Sequence, residues 1–223
     1  MLPQTRGPVP WGHFRPAPMS TAIYLTRHGE GEHNLDATRI VGRAPGARLT
    51  ERGRAQARRL GVRLRGPAAP QHIVCSSLPR TRETAEIVAA ELDGVPVHGE
   101  AALWDLSKGN WEGFMPRPLP DPIRQAIASD PLGFRYGDGE SFRDVIARVE
   151  PCFDRWVARH AGERLLFVLH ADIVLALLHQ KVGFPSDQIA HYQIQPCSLT
   201  ELCGQGGAFE LVLLNAAEHL AGV

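Results

Sequence analysis

The run LLFVL at 165–169 is continuously apolar, and a strand that is apolar on both faces needs a covering layer on each. No other feature of the chain constrains its fold so tightly. Such a strand belongs in the middle of a parallel sheet flanked by helices, and the remaining pattern agrees. From Thr21 onward, short apolar runs alternate with amphipathic segments. AIYLT (22–26) and HIVCSS (72–77) read as strands, an apolar segment lies at 95–98, and SLTELC (198–203) and FELVLL (209–214) supply two more. Between them, the segment 49–64 carries Ala57, Leu60, Gly61 and Leu64 at helical spacing behind a Thr50 cap. A second helix, at about 80–92, presents Ala85, Val88, Ala89 and Leu92. A third, at 141–160, aligns Phe142, Val145, Ile146, Val149, Phe153 and Trp156, with Pro151 placed to kink it. A fourth follows the apolar run at about 173–182. This alternation predicts an α/β protein: a three-layer α/β/α sandwich around a mainly parallel sheet.

At 223 residues, the chain suits one well-packed core. Residues 1–20 contain prolines at 3, 8, 10, 16 and 18 and no apolar segment of the signal-peptide kind, so they read as a flexible Pro-rich extension before a domain at 21–223. Between 114 and 139, prolines at 116, 118, 120, 122 and 131 interrupt the pattern, and an insertion of that length reads as a lid. The four cysteines show neither a C-x-x-C pair nor metal-like spacing, which predicts reduced thiols and a cytoplasmic setting. Formal net charge is zero, giving no global attraction to nucleic acid or to anionic membranes, and no run reaches membrane-spanning length. Exposed strand edges would permit a homodimer.

Open parallel sheets place ligands at the C-terminal ends of their strands. Arg27 and His28 fall there after AIYLT, His170 falls there after LLFVL, and Arg80 opens the helix after HIVCSS. Two histidines and two arginines converging on one edge call for an anion, and arginine forks match phosphate bidentately. A neutral imidazole beside a bound phosphoryl group is a competent nucleophile once the arginines offset the incoming charge. A group is still needed to protonate the leaving oxygen, and LWDLSKGNWEG (103–113) offers Asp105 and Glu112.

These segments together resemble the histidine phosphatase superfamily, the phosphoglycerate mutase-like proteins, from about Ile23 to Leu214. TRHGEGEHN is similar to that family's R-H-G-[EQ]-x-x-x-N signature, LTERGRAQARRLG to L-T-x-x-G-x-x-Q-A, and SSLPRTRETA to S-x-L-x-R-[AT]-x-[QE]-T-A. LWDLSKGNWEG resembles L-x-E-x-x-x-G-x-W-E-G, GES at 139–141 recurs in the family, and VLHAD stands where V-[ST]-H-G is usual. The resemblance implies that His28 takes the phosphoryl group as a phosphohistidine, that Arg27, Arg80 and His170 hold it, and that Asn34 helps bind substrate. Asp105 stands at the proton donor's position. No metal or organic cofactor is implied, and the implied partner is a small-molecule phosphate ester.

Three departures bear on this reading. Asp105 replaces the usual glutamate and is one methylene shorter; Asp172, two residues after His170, is a rival acid, with motif register favouring Asp105. Leu169 and Ala171 replace the hydroxyl and glycine that usually flank the second histidine. Gly31 and His33 replace a threonine and an aromatic residue, and His33 either lies idle in the loop or touches substrate. Arg39 and Arg43, in the same loop region, are placed to meet a second anionic group. Hydrolysis is the leading expectation. A phosphoglycerate-type mutase is the alternative, disfavoured because LWDLSKG replaces the mutases' L-N-E-R-H-Y-G and Arg117 stands alone where they carry an arginine pair. A catalytically inactive phosphate-binding protein is a third reading.

Overall fold

Eleven elements follow one another in the order expected of alternating strands and helices: β1 (Thr21–Arg27), α1 (Glu51–Arg63), β2 (His72–Ser76), α2 (Pro79–Ala90), β3 (Val97–Glu100), α3 (Asp121–Ser129), α4 (Phe142–Arg159), β4 (Arg164–Leu169), α5 (Ala171–Val182), β5 (Leu199–Gln205) and β6 (Ala208–Ala216). They come from a computed structural model that describes residues 20–35, 38, 40–43, 47–116 and 118–223. The N-terminal extension, apart from Ser20, therefore lies outside the described residues, as do Arg39 and Arg117.

The sheet has six strands in the order β3-β2-β4-β1-β5-β6. β4 is parallel to both neighbours, with Phe167 paired to Leu25 of β1 and to Val74 of β2. Its alternate residues enter different cores, which is why the run has no polar face. Leu165, Phe167 and Leu169 pack with Val149 and Phe153 of α4 and Val174 of α5. Leu166 and Val168 pack with Ala57 and Leu60 of α1 and Ala85 and Val88 of α2. Two helical layers thus cover the two faces, and the three-layer α/β expectation holds.

Local signals set the helix ends. Thr50 Oγ1 accepts the Gly53 N–H at 2.9 Å to cap α1, an interaction worth about 1 kcal/mol. Ser141 and Asp144 form a reciprocal capping box at the start of α4. That helix runs through Pro151, and α5 ends at Gly183 with φ +69°.

Two features went beyond the pattern. β5 and β6 run antiparallel, joined by Gly206 and Gly207, both at the positive φ that a tight hairpin turn requires. The interrupted stretch 114–139 contains α3, whose Pro120 and Pro122 sit at the N-cap and second position, where a missing N–H costs little. Ile127 is buried, and Ile123, Leu132 and Phe134 pack against the α4/α5 core. Backbone bonds tie the neighbourhood together: Gly113 N–H donates to the Ile40 carbonyl at 2.7 Å and Ile40 N–H to that of Met115 at 3.0 Å. Among the described residues, no helix is long and apolar enough to cross a membrane.

Candidate active site

Because β2, β4 and β1 are adjacent and parallel, their C-terminal ends share one edge of the sheet. His28 directly follows β1, His170 directly follows β4, and the His28 N–H donates to the Leu169 carbonyl at 2.9 Å, fastening the two ends together. β2 ends at Ser76, and α2 then presents Arg80 in its first turn.

Arg80 is the hub. Its side chain is fully buried, a costly place for a cation unless every donor finds an acceptor. Nε lies 3.2 Å from His28 Nε2, and one terminal nitrogen lies 3.1 Å from Asp105 Oδ2, 3.1 Å from the Gly42 carbonyl and 3.2 Å from His170 Nδ1. Burial lowers the Arg80 pKa while Asp105 opposes that shift, and the guanidinium stays charged.

These contacts fix the tautomers of both histidines. His28 Nδ1 lies 2.7 Å from the Gly29 carbonyl, which can only accept, so Nδ1 carries the hydrogen and Nε2 the lone pair. Arg80 Nε can only donate, which gives the same assignment. His170 Nδ1 likewise faces a donor, leaving Nε2–H to donate to Ser76 Oγ at 3.0 Å. Burial, and then neighbouring groups, hold both imidazoles well below the usual histidine pKa: the competing His170 imidazole and the Arg27 and Arg80 guanidiniums act on His28, and the Arg80 and Arg27 guanidiniums on His170. Both are neutral at pH 7, so the edge presents a nucleophilic nitrogen beside two fixed positive charges.

Arg27 donates through Nη1 to the Ile194 carbonyl at 2.9 Å. The His33 ring centroid stands 5.4 Å from that of His28, close to the 5.3 Å that separates His28 from His170. Asn34 Oδ1 accepts the Gly31 N–H at 2.9 Å and so closes the loop that carries His33. Of the two candidate acids, Asp105 stands in the cluster, with Oδ2 3.6 Å from His170 Nδ1. Asp172 is instead paired with the buried Lys108 at 2.8 Å, and that ammonium also lies 4.0 Å above the Tyr136 ring.

Arg43 reaches back into the protein. Its Nε donates to the Asp105 carbonyl at 2.9 Å and a terminal nitrogen to Glu140 Oε2 at 2.9 Å, with the guanidinium 5.6 Å from the Trp104 ring centroid. Arg148 of α4 donates to the same Asp105 carbonyl at 3.0 Å, to the Ala102 carbonyl at 2.7 Å and to both oxygens of Glu140. Burial alone would raise the Glu140 pKa; hydrogen bonds from Arg148 and from the Ser107 N–H outweigh it and hold the carboxyl below its ordinary range. Glu140, in the GES segment, thereby clamps two arginines onto the backbone of Asp105. Sequence reasoning missed Arg148, Ser76 and Lys108. A faint signal existed for Arg148, because a glutamate embedded before an apolar helix needs a cation nearby. The two tryptophans differ: Trp104 donates to Ser77 Oγ and is partly exposed, whereas Trp111 packs against Phe134 and Tyr136.

Comparison with known proteins gives this edge a context. A family model described as the histidine phosphatase superfamily (branch 1) matches residues 23–217. The chain is 33% identical over 184 residues to a protein named "Probable phosphoglycerate mutase GpmB" from Klebsiella pneumoniae, covering 81% of this chain and 83% of that one. It is 32% identical over 199 residues to the adenosylcobalamin/alpha-ribazole phosphatase of Salmonella typhimurium, covering 87% and 96%. Among solved structures, the Bacillus stearothermophilus protein YhfR superposes with a TM-score of 0.76 at 33% identity, over 90% of this chain and 99% of that one.

Proposed function

Since the chain belongs to the histidine phosphatase superfamily, we propose that it is a phosphomonoesterase that hydrolyses a small phosphorylated metabolite through a phosphohistidine on His28. One observation carries this reading: the lone pair of a neutral, buried His28 Nε2 is held against the Arg80 guanidinium, where a phosphoryl oxygen would displace it.

An arriving phosphate dianion takes donors from Arg80 and Arg27 and favours a proton on His170, whose depressed pKa is due partly to those same cations. His28 Nε2 attacks phosphorus in line, the P–O bond to the leaving group breaks, and the Asp105 carboxyl gives that oxygen its proton. The Asp105 carboxylate then removes a proton from water, which attacks the phosphohistidine, releases inorganic phosphate and restores His28. Asp105 is the better acid on position, since its Oδ2 shares Arg80 and His170 with the nucleophile, while Asp172 is occupied by Lys108. Arg43 and Arg148 set the placement of Asp105 and so offset its short side chain. His33, beside His28, lines the substrate side, and the 114–139 stretch acts as the lid that selects the ester.

The relatives carry both mutase and phosphatase names. Hydrolysis is favoured because LWDLSKG occupies the segment where mutases carry L-N-E-R-H-Y-G, and Arg117 has no arginine beside it. The deciding experiment follows phosphate release from an aryl phosphate beside a mutase assay primed with 2,3-bisphosphoglycerate. Phosphate release through an acid-labile phosphoenzyme that His28→Ala lacks is the expected result. Isomerisation with little phosphate release would replace the reading with the mutase, and a phosphoenzyme that persists in His28→Ala would overturn it.

A further inference from the structure

A second cluster of histidines lies at the opposite end of the sheet from the site above, where β2 and β4 begin. His72 opens β2, His160 caps the C-terminus of α4, and Glu163 immediately precedes β4. Glu163 Oε2 lies 3.2 Å from His72 Nε2 and 3.3 Å from His160 Nδ1, and the three ligand atoms all fall within 4.8 Å of one another. A zinc ion with arms of about 2.1 Å at tetrahedral angles separates its ligand atoms by about 3.4 Å. Both observed separations match that edge within a few tenths of an ångström. We propose that His72, His160 and Glu163 form a zinc site with a fourth position open to solvent, remote from the phosphoryl chemistry.

Backbone hydrogen bonds hold the segments that carry the three ligands. Glu163 N–H donates to the His160 carbonyl at 3.0 Å, and Gly162, at φ +83°, donates to Thr21 Oγ1 at 2.9 Å, so the 160–163 turn is tied to β1. His72 is registered against Leu165, and Gln71 exchanges two hydrogen bonds with Arg164 at 2.8 Å each. The turn and the strand thus meet in a set geometry, which limits the ordering cost of binding an ion. The side chains of His72, His160 and Glu163 are 24%, 13% and 35% exposed, which gives an ion a path of entry. His98 of β3 stands beside the cluster, its ring 5.6 Å from that of His72, and its Nε2 is buried without a hydrogen-bond partner among the described residues.

Bound there, zinc would pin the α4–β4 turn to the start of β2 and stabilise the fold by mass action. The test titrates the full, tag-free chain with Zn²⁺ by calorimetry and with Co²⁺ by visible absorption, after removal of bound metal by chelation. One equivalent should bind, Co²⁺ should show the intense visible bands of tetrahedral coordination, and Zn²⁺ should raise Tm. Glu163→Gln and His160→Gln should each weaken binding about tenfold or more. His28→Ala should leave it unchanged, separating this site from the active-site histidines. Absence of binding, binding that survives both substitutions, or binding lost in His28→Ala would each overturn the proposal; circular dichroism of the variants verifies that a lost site is not a lost fold.

Discussion

Replacing both site histidines, His28→Gln together with His170→Gln, should flatten the acid sensitivity of folding. Each imidazole has an ordinary pKa of 6.5 when unfolded and one well below that when buried among arginines. Below 6.5 the unfolded chain therefore binds protons that the native chain refuses, so stability is complete above that value and falls as pH falls. For one group whose native pKa lies beneath the window, the loss between about pH 7.5 and about pH 5.5 is on the order of 1 kcal/mol, and for two on the order of 2–3 kcal/mol. Urea unfolding followed by the fluorescence of the four tryptophans gives this directly. Wild-type protein should lose on the order of 2–3 kcal/mol more than the double variant over that interval, whatever the substitutions do to stability at neutral pH. Other titrating groups, such as Glu140 and His98, are common to both proteins and drop out of the difference. Equal losses would show that the two imidazoles are not held neutral, and would remove the basis for His28 as a ready nucleophile.

Three further outcomes test the arrangement. Asp105→Asn should slow hydrolysis of alkyl phosphates by about 10²-fold or more and of p-nitrophenyl phosphate far less, because a good leaving group needs no acid; Asp172→Asn should spare both, and the reverse pattern in a paired kinetic assay would reassign the donor. Arg148→Met removes the contacts to the Asp105 and Ala102 carbonyls and to Glu140, so kcat should fall about tenfold to a hundredfold with little change in KM; an unaltered kcat would refute its positioning role. Phe153, fully buried between α4 and the sheet against Phe167, should cost about 3–5 kcal/mol when changed to alanine, measured by denaturant unfolding.

The elements legible in the sequence were those whose signal is local and periodic. LLFVL could be placed centrally because both faces are apolar, and α1, α2, α4 and α5 appear near the positions that their apolar stripes and caps foretold. α3 was not legible, since prolines that break a periodic pattern are harmless at a helix N-terminus. The direction of β5 and β6 was also hidden, because an apolar run reads the same in either sense; the Gly206-Gly207 turn settles it.

At the site the division is equally physical. Sequence by itself delivered the residue types and their strand-end positions: Arg27 and His28 after one apolar run, His170 after another, Arg80 at a helix start, Asp105 near a glycine-bounded turn. What it does not contain is strand order, and only the adjacency of β2, β4 and β1 brings those ends together. Tertiary packing also decided which nitrogen of His28 bears the lone pair, which aspartate shares Arg80 and which is held by Lys108, and that Arg43 and Arg148 converge on one backbone carbonyl. Each of these depends on distances between residues far apart in the chain, whereas periodicity and capping depend on neighbours a few residues away. Propensity and pattern are short-range quantities; tautomer, ion-pair choice and burial are fixed only when the sheet assembles.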